Sequence, residues 1–194
     1  MILGITGGMG CGKSTAAALF ARAGFQRMDS DQLIREQVMT MPVVKERLIQ
    51  RFGPSMVLGD GVVDRVQLAQ RVFADESELR WLEEMTHPHL FQIWRHAFAA
   101  APGAAWAVEV PLLFEKNLEN WFDFTVCVAC SPAQQLARLE QRGLPHALAE
   151  QRISKQLPLA RKIELADFVL WNEGTAPFLQ DQVDHLIPAL TAVR

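Results

Sequence analysis

Short apolar segments alternate with longer segments of helical character along this chain, a pattern typical of strands connected by helices. Five segments are apolar enough for strands, and they read MILGIT, FQRMD, AWAVEVPLLF, FDFTVCVAC and DFVLWNEG. The stretch from Lys13 to Ala23 predicts a helix that stops at Gly24. A strand, a glycine-rich loop, a helix and a second strand open a βαβ unit, so we expect a parallel sheet with helices on its faces.

The pattern between the second and third apolar segments is different. Residues 31–101 show helix after helix, with expected breaks at Pro42, at FGPSMVLGDG and at His87-Pro88. No strand pattern of comparable strength occurs there, so we interpret this block as a helical insertion in the sheet domain. Further helices are expected between the fourth and fifth strands and from about Ala176 onward. The elements together predict one three-layer α/β domain with five parallel strands.

Composition narrows the classes of function that fit this fold. Of 194 residues, 49% are hydrophobic and 21% are charged, which is ordinary for a globular protein. The net charge of −3 and the pI near 6.0 argue against a general nucleic-acid-binding protein. No apolar run approaches the length of a membrane helix, and the N-terminus lacks the basic and apolar regions of a secretory leader. We therefore expect a cytoplasmic monomer or small homo-oligomer that binds neither nucleic acid nor membranes.

The three cysteines, Cys11, Cys127 and Cys130, do not indicate a disulfide framework, because their number is odd and nothing suggests an oxidising compartment. Cys127 and Cys130 have C-x-x-C spacing, but they end an apolar strand segment, where side chains three residues apart face opposite sides of the sheet. No second cysteine pair or histidine cluster accompanies them, so we expect both to pack in the core.

The glycine-rich segment carries the clearest chemistry in the sequence. Gly7 to Ser14 reads GGMGCGKS and matches the phosphate-binding pattern G-x-x-x-x-G-K-S/T. Glycines there let backbone N–H groups converge on phosphate, and the following helix adds its positive dipole end. Lys13 is expected to reach the β and γ phosphates, Ser14 to ligate Mg²⁺, and Thr15 to lie near the α phosphate. The candidate ATP-binding residues of this segment are Gly8, Gly10, Cys11, Gly12, Lys13, Ser14 and Thr15.

A phosphate-binding loop identifies the phosphoryl donor and leaves the acceptor open. The chain contains no guanine-reading N-K-x-D sequence, which argues against a GTPase. A small-molecule or nucleotide kinase and an ATP-binding switch without acceptor chemistry both remain compatible with the loop. Asp29 and Asp31 follow the second strand, where a carboxylate could accept a proton from an attacking hydroxyl or help hold Mg²⁺. Alternatively, Ser30 or Asp31 caps the next helix, and Arg35 is the helical ion-pair partner of Asp31.

Further motifs follow the loop in an order that resembles dephospho-CoA kinase. After GITGGMGCGKST come DSDQLIR, GDGVVDR, HP, VPLLFE, Q…RLEQR, RISKQ, K…AD and NEG, so the resemblance runs from Ile2 to about Gly174. It implies phosphorylation of the ribose 3′-hydroxyl of dephospho-CoA by ATP with Mg²⁺, giving CoA in the last step of its biosynthesis. Another small-molecule or nucleotide kinase is the alternative.

The resemblance also implies an organisation and a set of site residues. The fold would be the P-loop, nucleoside-kinase-like one, with its ATP core in residues 1–30, 102–137 and 163–194. Residues 31–101 would be the insertion that binds the acceptor, and residues 138–162 the lid. Catalysis would fall to Asp31 as the base, Lys13 and Arg142. Acceptor contacts would come from Asp29, Asp31, Arg35, His87 and Leu113, and contacts near adenine from Asn172 and Gly174.

Other parts of the motif set have simpler explanations or depart from the family. His87-Pro88 also fits a histidine near a helix start followed by proline in the first turn. A basic segment that includes Arg138, Arg152 and Lys162 would belong to the lid, although a solvated helix face explains part of it. Glu109 stands where the family often has aspartate, and Cys11 where serine is common. A thiol beside a helix N-terminus can have a lowered pKa, so we expect Cys11 to be modified in a way that ATP blocks.

Overall fold

The computed structural model describes residues 1–192 and contains a five-stranded parallel sheet. The strands are β1 (Ile2–Gly7), β2 (Gln26–Asp29), β3 (Trp106–Glu109), β4 (Phe124–Ala129) and β5 (Phe168–Trp171), in the spatial order β2-β3-β1-β4-β5. Each strand coincides with one of the five apolar segments of the sequence, with β1 extending one residue beyond its segment to Gly7, so the predicted α/β fold is confirmed. β1 is the central strand, and its carboxyl end leads directly into the glycine-rich loop.

The helices follow the predicted alternation with the strands. They are α1 (Lys13–Arg22), α2 (Ser30–Glu36), α3 (Pro42–Phe52), α4 (Arg65–Ala74), α5 (Glu76–Ala100), α6 (Pro132–Gln141), α7 (His146–Ser154), α8 (Leu159–Leu165) and α9 (Ala176–Ala192). None of the helices within residues 1–192 is long and apolar enough to cross a membrane.

The chain divides into two compact units. One comprises Met1–Asp29 and Gly103–Arg194, of which residues 193 and 194 lie outside the described part of the chain, and the other comprises Ser30–Pro102. The last two residues of the predicted core segment 163–194 therefore lie outside the described part of the chain. The assignment of residues 31–101 to acceptor binding and of 138–162 to a lid stays a prediction.

The sheet unit is built on a core that spans β1, β4, α1 and α9. Leu3 and Ile5 of β1, Phe20 of α1 and Leu179 of α9 are fully buried within it. A central parallel strand is covered on both faces, which explains why β1 is almost continuously buried. The phosphate-binding candidate thus starts from the end of a central, buried strand.

The helical unit has its own core of buried side chains from α3, α4, α5 and the segments between its helices, and the partly buried Ile34 of α2 packs against it. The sequence prediction of a helix break at His87-Pro88 is wrong, and so is the placement of His87 at a helix start, because both residues lie inside the continuous helix α5. Proline has no N–H and removes one backbone hydrogen bond from that helix. Just before it, the Thr86 hydroxyl donates to the carbonyl of Leu82 at 2.8 Å. The buried packing of Leu90 and Trp94 continues the helix beyond the proline.

Candidate active site

The loop between β1 and α1 has the backbone of an anion-binding turn. Gly12 has φ +95°, and a Cβ at this position would lie 2.2 Å from Nδ2 of Asn172. Gly7 has φ +141°, and its Cβ would lie 2.1 Å from the carbonyl oxygen of Val128. Side chains are therefore excluded at both positions by conformation and by space. The loop closes on itself through the N–H of Cys11, which donates to the carbonyl of Gly8 at 3.2 Å.

Lys13 lies at the first position of α1, with its side chain folded over the loop. Its Nζ donates to the carbonyl oxygens of Gly7 and Gly8, at 3.2 and 3.0 Å. These bonds hold the ammonium group above the same loop whose N–H groups and helix dipole favour an anion. The structure thus places Lys13 where the sequence predicts a phosphate contact.

Ser14 contacts a carboxylate that the sequence left without an assigned function. Its Oγ donates to Oε2 of Glu109 at 2.8 Å, and Glu109 is only 3% exposed at the end of β3. The other oxygen, Oε1, accepts hydrogen bonds from Nε and Nη2 of Arg27, at 2.9 and 2.7 Å. Arg27 satisfies one carboxylate oxygen of Glu109, and Ser14 satisfies the other. Sequence reasoning missed Arg27, whose only sequence signal is a charged residue within a strand segment.

Three side chains from other elements fix the loop from outside. Gln135 of α6 donates through Nε2 to the carbonyl of Met9 at 2.8 Å, and the N–H of Met9 donates to Oε1 of Gln156 at 3.2 Å. Asn172, directly after β5, donates through Nδ2 to the carbonyl of Cys11 at 2.9 Å. Asn172 therefore lies at the predicted nucleotide site, where it supports the loop backbone. Gln135 and Gln156 were not predicted.

The predicted basic lid residues fall into different environments. Arg142 caps the C-terminus of α6 and is exposed, as are Arg152 and Lys155. Arg138 donates through Nη2 to the backbone carbonyl of Asn172 at 2.8 Å. Lys162, in contrast, is fully buried, and its Nζ lies 2.8 Å from both the carbonyl of Pro111 and Oε1 of Glu115.

The predicted acceptor residues are divided between the two units. Asp29 ends β2 and stands opposite Glu109 in the strand register, while the side chain of Leu113 is fully buried in the same unit. Asp31 and Arg35 lie on α2 of the helical unit. His87 belongs to the same unit but lies on α5, where its ring is 5.8 Å from that of Phe91. Gly174 is exposed after β5. The sheet unit alone therefore brings together the loop, Ser14, Glu109 and Asn172.

The Cys11 thiol points into the core beside Cys130. All three cysteines are free thiols, and both Cys127 and Cys130 are buried as predicted. A hydrogen bond from the Cys130 thiol lowers the pKa of Cys11 to about 7, aided by the charge of Lys13 and opposed by burial. Burial raises the pKa of Cys127 to about 12. Because the Cys11 side chain is fully buried, the phosphate contact predicted for this residue would have to come from its backbone.

Known proteins resemble this chain over nearly its whole length. The family model for dephospho-CoA kinase matches residues 1–177. A dephospho-CoA kinase from Thermosynechococcus vestitus is 41% identical over 190 residues, which cover 97% of this chain and 94% of that protein. The solved structure of TT1252 from Thermus thermophilus has a TM-score of 0.84 and 32% identity, covering 98% of this chain and 97% of its own. That of dephospho-CoA kinase from Campylobacter jejuni has a TM-score of 0.72 and 23% identity, covering 97% and 96%, and supports the fold.

Proposed function

The chain belongs to the dephospho-CoA kinase family, and from this premise we propose that it transfers the γ-phosphoryl group of ATP to the ribose 3′-hydroxyl of dephospho-CoA. The product is CoA. The observation that carries the proposal is the match of the family model to residues 1–177. The loop after β1 also has a backbone conformation suited to binding phosphate. The residue assignments below rest on the contacts of that loop and on the family's motifs.

The loop from Gly8 to Thr15 is proposed to bind the phosphates of ATP. Its N–H groups and the N-terminus of α1 provide fixed partial positive charges that need no reorganisation during transfer. Lys13 exchanges its bonds with the carbonyls of Gly7 and Gly8 for the β and γ phosphates. Asn172 and Gly174, after β5, are proposed to border the adenine, where Asn172 also holds the carbonyl of Cys11.

Ser14 and Glu109 are the proposed protein groups for Mg²⁺. Mg²⁺ prefers oxygen ligands and is usually held by one or two protein groups together with substrate phosphates and waters. The hydroxyl and carboxylate, 2.8 Å apart beside the loop, fit that preference. No cluster of three or more His, Cys, Asp or Glu side chains able to hold a metal occurs in residues 1–192, which agrees with a metal that arrives with ATP. When bound, Mg²⁺ neutralises charge that develops on the transferred phosphoryl group.

Arg27 is proposed to orient the Glu109 carboxylate. Two charge-assisted hydrogen bonds from one guanidinium hold Oε1, and Oε2 accepts the hydrogen bond from Ser14.

Asp29, Asp31, Arg35, His87 and Leu113 are proposed as acceptor contacts on the basis of the family's motifs. Asp31 accepts the proton of the 3′-hydroxyl, and Arg35, one helical turn along α2, positions the substrate. Phosphoryl transfer has a loose transition state, so orientation and charge contribute more than the strength of the base. Leu113 is buried, so its contribution is through the shape of the backbone at this point.

Residues 138–162 are proposed to act as a lid in which Arg142 stabilises the transferred phosphoryl group. A planar guanidinium can donate two hydrogen bonds to phosphoryl oxygens as their charge spreads. Lys162 does not share this function, because its ammonium group is buried against Glu115.

A turnover assay with mass spectrometry of the acceptor tests the proposal. With ATP, Mg²⁺ and dephospho-CoA, we expect the acceptor to gain one phosphoryl group, and we expect Lys13→Ala to abolish the gain. Arg22→Ala is a matched control, because it removes a positive charge from the exposed, C-terminal end of the same helix α1 and is expected to preserve turnover. ATP binding without phosphorylation of dephospho-CoA would show that the acceptor is wrong.

A further inference from the structure

Two thiols that are distant in sequence meet behind the phosphate-binding loop. The sulfur atoms of Cys11 and Cys130 lie 3.5 Å apart, and the side chains are 0% and 2% exposed. Cys11 belongs to the loop, whereas Cys130 directly follows β4. The pair therefore joins the phosphate-binding loop to the carboxyl end of β4.

We propose that Cys11 and Cys130 are a reversible oxidation site, at which hydrogen peroxide forms a disulfide that impairs ATP binding to the loop. The Cys11 thiol loses its proton, and the thiolate attacks a peroxide oxygen. The O–O bond breaks, the departing hydroxide takes up that proton as water, and Cys11 becomes a sulfenic acid. The Cys130 sulfur attacks the Cys11 sulfur, the S–O bond breaks, and the hydroxyl departs with the Cys130 proton as water. Overall, two thiols and one peroxide give one disulfide and two waters.

The surroundings of the two sulfurs assign them different parts in this sequence. The Cys130 thiol donates its hydrogen to Cys11, and the charge of Lys13 further favours a thiolate at Cys11. The same hydrogen bond and burial raise the pKa of Cys130, which keeps it protonated as the resolving thiol. Cys127 is excluded from the pair, because it lies outside the core cluster that contains Cys11 and Cys130 and burial raises its pKa to about 12.

Disulfide formation has a direct geometric consequence for the loop. Since a disulfide has an S–S distance of about 2.05 Å, the sulfurs must approach by about 1.5 Å from their separation of 3.5 Å. β4 is paired on both sides, so the loop is the part that shifts. Cys11 also anchors the loop through its N–H to Gly8 and its carbonyl to Asn172. Catalytic rates can fall about a hundredfold when reacting groups are displaced by about 1 Å, so a shift of this size in the loop is expected to disturb its phosphate contacts.

Peroxide treatment followed by peptide mass spectrometry and ATP-binding measurements tests the proposal. In the unaltered protein we expect a Cys11–Cys130 linked peptide and at least tenfold weaker ATP binding, both reversed by dithiothreitol. Cys130→Ala is expected to retain ATP affinity after the same treatment. Cys127→Ala is the matched control from the same strand segment and is expected to lose affinity like the unaltered protein.

Three results would each overturn the proposal: no Cys11–Cys130 peptide after prolonged peroxide treatment, a Cys127–Cys130 peptide in its place, or a linked protein with unchanged ATP affinity. If Cys130→Ala proves unstable, the linked peptide and its reversal in the unaltered protein decide the question. This inference depends on the proposed function only in that ATP affinity is its readout. If dephospho-CoA is not the acceptor, both the Cys11–Cys130 linked peptide and ATP binding can still be measured.

Discussion

Replacing Lys162 by methionine is expected to destabilise the protein far more than loss of an exposed lysine. The ammonium group of Lys162 is fully buried and pairs with Oε1 of Glu115, which also accepts from the N–H of Leu157 at 2.9 Å. Oε2 of Glu115 is buried and has no hydrogen-bond partner among the described residues. Methionine preserves the apolar stem but leaves this carboxylate and the carbonyl of Pro111 without their cation.

The size of the effect follows from the burial of the pair. Removing one partner of a buried ion pair costs about 3–5 kcal/mol of unfolding free energy. Glu115 is 17% exposed and keeps the Leu157 N–H, so we expect the lower end of that range, about 3 kcal/mol. For a protein of this size, that loss corresponds to a fall in Tm of roughly 6–12 °C. Adding Glu115→Gln removes the uncompensated charge and is expected to restore at least about 1 kcal/mol.

Thermal and urea unfolding of the variants measure these changes, and Arg161→Ala supplies the control. Arg161 precedes Lys162 on α8 and forms an exposed ion pair with Glu164, so its loss should cost at most about 1 kcal/mol. If Lys162→Met unfolds at the same temperature as Arg161→Ala, the reasoning from burial is wrong. A loss of turnover in Lys162→Met at unchanged Tm would instead make Lys162 a functional lid residue.

Three further substitutions test the site. Glu109→Gln removes the charge beside Ser14 while keeping its shape, so we expect at least a tenfold higher Mg²⁺ requirement for turnover, and an unchanged Mg²⁺ titration would refute a metal contact. Asp31→Asn should reduce turnover at least tenfold with ATP affinity preserved; near-normal turnover would exclude it as the base. Gly12→Ala puts a Cβ 2.2 Å from Nδ2 of Asn172 at φ +95°, so calorimetry should show at least tenfold weaker ATP binding, and retained affinity would contradict the steric argument.

The sheet and the loop could be predicted because their signals are local. A strand of this sheet is a short apolar run, and the loop is a contiguous pattern of glycines followed by Lys13 and Ser14. The helical insertion was predicted for the same reason. The exception was the break at His87-Pro88, where buried packing of α5 on both sides of the proline outweighs its local preference.

The contacts that complete the site depend on residues far apart in sequence. Arg27 and Glu109 are 82 positions apart, and Cys11 and Cys130 are 119 apart. Strand pairing brings the two residues of each pair together, so the spacing of apolar residues along the sequence does not indicate the contact. Lys162 illustrates the same difficulty, because a basic residue in a charged segment gives no indication that it is buried.

The central position of β1 has a consequence for folding. Ile2 pairs with Trp106 of β3, and Leu3 with Phe124 of β4, so the first strand has no sheet partner until β3 is synthesised. At ribosomal rates of 5–20 residues per second, a wait of roughly 5–20 s separates synthesis of β1 from that of β3. The helical unit of Ser30–Pro102, whose contacts are local, is synthesised during this interval, so all of its residues precede the first sheet partner of β1. The nucleotide loop is thus among the first segments to be synthesised and among the last to acquire its native backbone.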